Sequence, residues 1–140
     1  MAIRQISVFV ENKKGSLSDV TDLLSQNGID LRAMSIADTA DFGILRIIVE
    51  ETDRALSILR DNGIIATVTE VTAFAVPDRA GGLAEVLHIL SERNINMEYL
   101  YALVTKVAGK AFTVMRVEDN SVTEDILEEN GIEILREEDL

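Results

Sequence analysis

The chain repeats itself, and that duplication constrains the fold more than any other feature. The run Val10-Glu11-Asn12-Lys13-Lys14-Gly15-Ser16-Leu17-Ser18-Asp19-Val20 lies over Val76-Pro77-Asp78-Arg79-Ala80-Gly81-Gly82-Leu83-Ala84-Glu85-Val86. The match continues through Leu24 with Leu90, Ser25 with Ser91 and Ile29 with Ile95. Further on, Ile58-Leu59 meets Ile126-Leu127 and Asn62-Gly63-Ile64 meets Asn130-Gly131-Ile132. These later matches are two residues out of step, which places an insertion around Lys106 to Lys110. Glycines, helix-face residues and turn residues coincide together, as chance rarely arranges. Two copies are too few for a solenoid. The pattern reads as a paired domain, 1–70 and 71–140, with the boundary near Glu70.

Each copy reads in the same order. Ile6, Val8 and Val10 alternate with Gln5, Ser7 and Phe9, the period-two signature of a strand. Gly15 interrupts it. Ser16, three residues before Asp19, suits an N-cap whose side-chain oxygens satisfy orphan amides. Leu17, Val20 and Leu24 then form one apolar helical stripe, ended by Asn27-Gly28, with Asn94 replacing that glycine in the second copy. A second strand over 29–37, a turn at 38–41, a third strand over 43–50, a helix over 52–61 and a fourth strand from Ile64 complete the unit. The second copy repeats this with 96–106, 111–118, 120–129 and 132–136. The expected class is α+β: two ferredoxin-like βαββαβ units in tandem, each an antiparallel four-stranded sheet with two helices. No turn signal separates Ile64 from Val76, so the last strand of one copy runs almost directly into the first strand of the next. On the third strands, Ile47, Val49, Met115 and Val117 should meet the helices. The opposite face, with Ile44, Arg46, Ile48, Phe112, Val114 and Arg116, is too apolar for water and should be partly covered, by the other copy or by a second chain.

Composition narrows the function. Thirteen basic and 25 acidic residues give a net charge of −12. Nucleic-acid affinity comes mainly from Lys and Arg on phosphates, so a polyanion partner is excluded, and so is an anionic membrane surface. With no cysteine there is no disulfide, thiolate metal site or cysteine nucleophile. The apolar runs are too short to span a bilayer and the first residues lack a signal peptide's basic and apolar regions, so a cytoplasmic location is expected.

The run Gly15-x-Leu17-x-x-Val20-x-x-x-Leu24-x-x-x-x-Ile29-x-Leu31, repeated as Gly81-x-Leu83-x-x-Val86-x-x-x-Leu90-x-x-x-x-Ile95-x-Met97, resembles the signature region of ACT domains. Asp78-Arg79-Ala80-Gly81 resembles the family's D-x-P-G loop before its first helix, with Ala80, and Lys14 in the first copy, where the family often has proline. The resemblance covers nearly the whole chain twice. It implies a non-catalytic, free-standing regulatory pair that binds an amino acid at domain interfaces and modulates a partner enzyme of amino-acid metabolism.

Physical chemistry points to the same place. A helix's first amides have no intrahelical partner and carry the positive end of its dipole, so a carboxylate can sit there, and glycine lets it approach. Candidate ligand-binding residues are Asn12, Lys14, Gly15, Ser16 and Leu17 in the first loop, and Asp78, Ala80, Gly81, Gly82 and Leu83 in the second. The side-chain oxygen of Asn12 or Asp78 would take the ammonium. Ser35 and Ile36, and Leu100 and Tyr101, on the second strands would hold the ligand's side chain. These apolar strands favour a branched, aromatic or imidazole side chain. Lys13-Lys14-Gly15-Ser16 lacks the glycine spacing and Gly-Lys-Ser order of a phosphate loop. His88, off the apolar stripe, reads as an exposed helix residue. No metal, cofactor or catalytic residue is expected. A homodimer is expected. The alternative is a dimerisation module whose pockets stay empty and which assembles with a partner enzyme. A small enzyme finds no nucleophile–base pair, and an RNA-binding sheet would need basic and stacking residues that are missing.

Overall fold

The computed structural model describes residues 2–38, 41–104 and 110–140. The turn expected at Asp38–Asp41 and the insertion at Lys106–Lys110 therefore fall partly outside the described residues. The chain divides into two compact units, one of residues 4–69 and one of residues 70–140 together with the chain's first residues through Ile3.

In the first unit, β1 (Ile3–Glu11), α1 (Ser16–Gln26), β2 (Leu31–Asp38), β3 (Phe42–Val49) and α2 (Thr52–Asp61) lead into β4 (Ala66–Pro77). β3 is flanked by β1 and β2, both antiparallel, with Ile6 and Met34 each opposite Ile47. The amide of Phe9 donates to the carbonyl of Ile65 at 3.0 Å, which sets the approach to β4 on the other side of β1. Alternation then does what period two requires: Ile6, Val8 and Val10 share a face with Leu45, Ile47 and Val49, and bury it against Val20, Leu24, Ala55 and Leu59 of the helices. At about 1.5–3 kcal/mol for each large apolar side chain fully buried, this face holds the unit together.

The second unit repeats the arrangement with α3 (Gly82–Glu92), β5 (Met97–Leu103), β6 (Lys110–Val117), α4 (Asn120–Glu129), β7 (Ile134–Leu135) and a closing 3₁₀ turn (Glu137–Asp139). β6 pairs with β4 and β5, and β4 pairs with β7, all antiparallel. The order β7-β4-β6-β5 is that of a split βαββαβ sheet. Phe74, Val76, Met115 and Val117 bury against Val86, Leu90, Ile126 and Leu127. The faces of β3 and β6 turned from the helices are also buried at Ile48, Val114 and Phe112, while Ile44, Arg46 and Arg116 are half-buried. No helix among the described residues is long and apolar enough to cross a membrane.

Four expectations need correction. Eight strands were expected, four to each separate sheet, and the described residues form seven, because the last strand of the first copy, expected to run almost directly into the first of the second, is continuous with it as β4, a single strand of 12 residues. The strand expected over 132–136 contracts to Ile134–Leu135. Arg136 is drawn instead onto α4, at 2.7 Å from Glu128 and 3.5 Å from Glu124, and its amide donates to Asp139 at 2.9 Å. Ser16 is not an N-cap: Gly15 takes that position at φ 87°, and Ser16 is the first helical residue. Leu17, expected in the buried stripe, is 41% exposed, since the first helical turn lies at the loop and only Val20 and Leu24 of α1 are buried.

Leu59 and Leu127 are fully buried equivalents, one in each core. Truncating either to alanine should cost about 2–5 kcal/mol in chemical denaturation. Asp119, whose carboxylate accepts the Val122 amide at 3.1 Å, caps α4. Asp119→Ala should cost about 0.5–2 kcal/mol by the same measurement.

Candidate functional site

Both helix starts are built by the same device. In the first copy the amide of Lys13 donates to the carbonyl of Glu11 at 2.9 Å, that of Ser16 to Lys13 at 3.3 Å, and that of Asp19 to Gly15 at 2.9 Å. In the second the equivalent bonds run from Arg79 to Pro77 at 2.9 Å, from Gly82 to Arg79 at 3.1 Å, and from Glu85 to Gly81 at 3.0 Å. Gly15 and Gly81 sit at φ 87° and 86°, in the left-handed region that favours glycine. The turn closes on itself and leaves the amides of Leu17 and Ser18, and of Leu83 and Ala84, without a hydrogen bond among the described residues. Neither helix has a side-chain cap. Two uncapped amides at a helix N-terminus are the elements of an anion site.

The loops differ at the first helical residue. A Cβ on Gly82 would stand 2.1 Å from the carbonyl oxygen of Pro77, so only glycine fits. The first copy has Ser16 there, and its Oγ is buried with no hydrogen-bond partner in the structure. A buried hydroxyl without a partner is costly, and it lies in the turn that holds the open amides of Leu17 and Ser18. Charge differs too. Lys13 pairs with Glu11 at 3.0 Å and Lys14 is exposed, whereas Arg79 pairs with Glu85 at 2.8 Å, next to the exposed Asp78 and Ala80. Asn12 is exposed, and its amide donates to the carbonyl of Asp41 at 3.0 Å.

The strand candidates divide by face. Ile36 is 49% exposed and lies opposite Leu45, on the helix side of its sheet with Leu17. Ser35 lies opposite Arg46 and points the other way. In the second copy Leu100, opposite Met115, packs against the helix-side core, while Tyr101, opposite Val114, is buried on the other face and stacks on Tyr99 with ring centroids 6.4 Å apart. Within one unit, therefore, Ile36 or Leu100 shares the side of the helix start, and Ser35 or Tyr101 does not. A cleft of about 450 Å³ lies beside the second loop, lined by Val76, Pro77, Glu85, Val86, Ile89 and Ile132. Another of about 530 Å³ lies between α1 and β2, lined by Thr21, Leu24, Gly28, Ile29, Leu31 and Met34.

Several polar residues escaped the sequence reading. Gln5 is fully buried, with its amide nitrogen 3.4 Å from the Ser7 hydroxyl. Thr72, also buried, donates to Asn120 at 2.7 Å, and Asn120 in turn donates to the carbonyl of Glu70 at 3.2 Å. A glutamine or threonine at alternate positions of a strand was the available signal, but it reads equally as a solvated face. His88 is exposed and lies 3.2 Å from Glu92.

Crystallised protein BT0572 from Bacteroides thetaiotaomicron is 37% identical, with a TM-score of 0.92 over 99% of this chain and 95% of that one. The ligand-free regulatory subunit of aspartate kinase from Thermus thermophilus superposes with a TM-score of 0.67 at 12% identity, over 92% of this chain and 93% of the other. Aspartate kinase from Clostridium acetobutylicum gives 0.55 at 11% identity, where 91% of this chain covers 32% of that protein. At such identities these two likenesses speak to the fold alone. No curated protein matches the sequence. A family model described as an ACT domain pair matches residues 1–140, and the chain belongs to that family.

Proposed function

We propose that this protein is a non-catalytic, cytoplasmic regulator that binds an amino acid and, when occupied, modulates a partner enzyme of amino-acid metabolism. Each repeat, 1–70 and 71–140, acts as one ACT domain. The observation that carries this reading is the pair of helix starts with left-handed glycines and two uncapped amides each. A ligand carboxylate bonds the amides of Leu17 and Ser18, or of Leu83 and Ala84, at the positive end of the helix dipole. The ammonium meets Asn12 or Asp78. A branched, aromatic or imidazole side chain rests on Ile36 or Leu100, the second-strand candidates on the side of the helix start, whereas Ser35 and Tyr101 lie on the other face. Structural neighbours described as regulatory subunits of aspartate kinase fit this role.

The first loop is the stronger of the two, because Ser16 keeps a buried hydroxyl there with no protein partner. In the second loop Gly82 leaves no room for any side chain against Pro77. A second reading has one observation in its favour. Asp19 and Glu85 already place a carboxylate in the first turn of α1 and α3, which complements the helix dipole without a ligand. On that reading the pockets stay empty and the pair serves assembly with a partner enzyme.

Thermal denaturation against the standard amino acids separates the two. At a hundredfold excess over the dissociation constant, a bound amino acid adds about 2.7 kcal/mol, or about 5–10 °C in Tm for a chain of this size. No shift with any of them sinks the sensor reading. Ser16→Ala gives a sharper check. Without ligand, stability should stay level or rise slightly, because the hydroxyl has nothing to lose, while ligand affinity measured by calorimetry should fall about tenfold. Gly82→Ala should disturb the second loop and cost about 1–3 kcal/mol through the clash with Pro77, read by denaturation.

A further inference from the structure

The two repeats divide the chain's charge unequally. Residues 70–140 hold 15 acidic and 6 basic side chains, whereas residues 1–69 hold 10 and 7. The last helix of each copy shows the contrast. α2 carries Asp53 in its first turn and Arg60 in its last, the order that the helix dipole favours. α4 has no basic residue in its last turn and ends on Glu128 and Glu129, against its dipole. Glu124 and Glu128, and Asp125 and Glu129, are like charges four residues apart, a spacing that weakens a helix. The first copy has Leu56 with Arg60 and Ser57 with Asp61 at the same positions, so the fold does not require these carboxylates. Arg136 and Arg93 offset part of the repulsion, at 2.7 Å from Glu128 and 3.4 Å from Glu129. Asp125 makes no ion pair among the described residues.

A groove lies beside that helix. The cleft of about 450 Å³ that reaches Val76 and Ile89 adjoins a second of about 450 Å³ that reaches Glu128 and Ile134, and the two share Gly131, Ile132 and Glu133. Ile89, Ile132 and Ile134 form its floor, half-buried at the margin of the core. Glu85, Glu133 and Glu128 stand along it, paired with Arg79 at 2.8 Å, Lys110 at 2.6 Å and Arg136 at 2.7 Å. Exposed pairs of this kind hold weakly and can be shared with an incoming cation.

We propose that this groove docks a segment of a partner protein that carries lysine or arginine beside apolar side chains. The apolar side chains rest on Ile89 and Ile132, and the basic groups meet the surplus carboxylates of α4. Charge selects that occupant, because the field of this unit draws cations and repels nucleic acid, an acidic segment and a second copy of this face alike. Helix physics argues the same way: carboxylates kept where they weaken α4 belong to recognition rather than to folding. The inference names the kind of partner that the regulatory reading calls for and rests on that reading only in requiring a partner. Amino-acid binding is no part of it.

The probe is a synthetic peptide of leucine and lysine in amphipathic order, titrated into the isotope-labelled whole chain by NMR. It should shift the amides of Ile89, Gly131, Ile132 and α4 and leave their counterparts Leu23, Gly63, Ile64 and α2 in place. A peptide with glutamate for lysine should not bind, and one with serine for leucine should bind about tenfold more weakly. Asp125→Lys turns one like-charge pair into an opposite one, so Tm should hold or rise while affinity for the lysine peptide falls about tenfold. No binding, shifts in both repeats alike, or undiminished affinity in Asp125→Lys overturns the proposal. Equal binding of the serine peptide overturns it too, since charge alone then holds the probe. A chain that takes the peptide but no amino acid removes the sensor alone, and one that takes an amino acid but no peptide removes the groove alone.

Discussion

A left-handed turn at a single residue organises each half of this protein. Four residues carry the chain from strand to helix in each copy, 12–15 and 78–81, and the last of them, Gly15 or Gly81, takes a left-handed conformation that favours glycine. That turn fixes where α1 and α3 begin, and hence which of their faces meets the sheet. It also leaves two amides per helix open. Packing and recognition thus share one cause: the geometry that lets Val20 and Leu24 reach the core is the geometry that exposes the Leu17 and Ser18 amides.

Much of this was legible in the residues. The repeat gave the order of elements, and α2 and α4 occupy the stretches that their apolar spacing marks, Thr52–Asp61 and Asn120–Glu129. The faces of β3 and β6 followed from alternation alone, because a period of two leaves no other choice once one face is apolar. The loops were marked by their glycines. What failed is instructive. Serine is a strong N-cap, so propensity favoured Ser16, but a turn this tight needs a positive φ and the role passed to Gly15. β7 stopped early because Arg136 found carboxylates on α4, a long-range attraction that no local pattern shows. The burial of Gln5 and Thr72 was hidden for the same reason: a polar residue on an alternating strand looks solvated until the partner that satisfies it is known.

The two copies have diverged by function of position rather than uniformly. Positions that bury apolar side chains keep their chemistry, as Leu24 and Leu90 or Leu59 and Leu127 do. Several positions at the surface and at the helix start do not. Ser16 is matched by Gly82, Lys14 by Ala80, and Phe42 by Lys110. Stability therefore constrains one set of residues and leaves the other free, so the second set is where the copies acquire separate tasks.

The unbroken run of β4 bears on how such a chain can change. Twelve residues of paired backbone join the copies, with no glycine and with its proline only at the far end. An extra residue at Ala73, inside the stretch that pairs with β6, would reverse the facing of the strand's side chains beyond it, turning Phe74 and Val76 out of their core. Evolution and protein engineering alike should find that junction intolerant of insertions and useless as a cutting point. The stretch between β5 and β6, where the second copy already carries two extra residues, offers the natural place for growth.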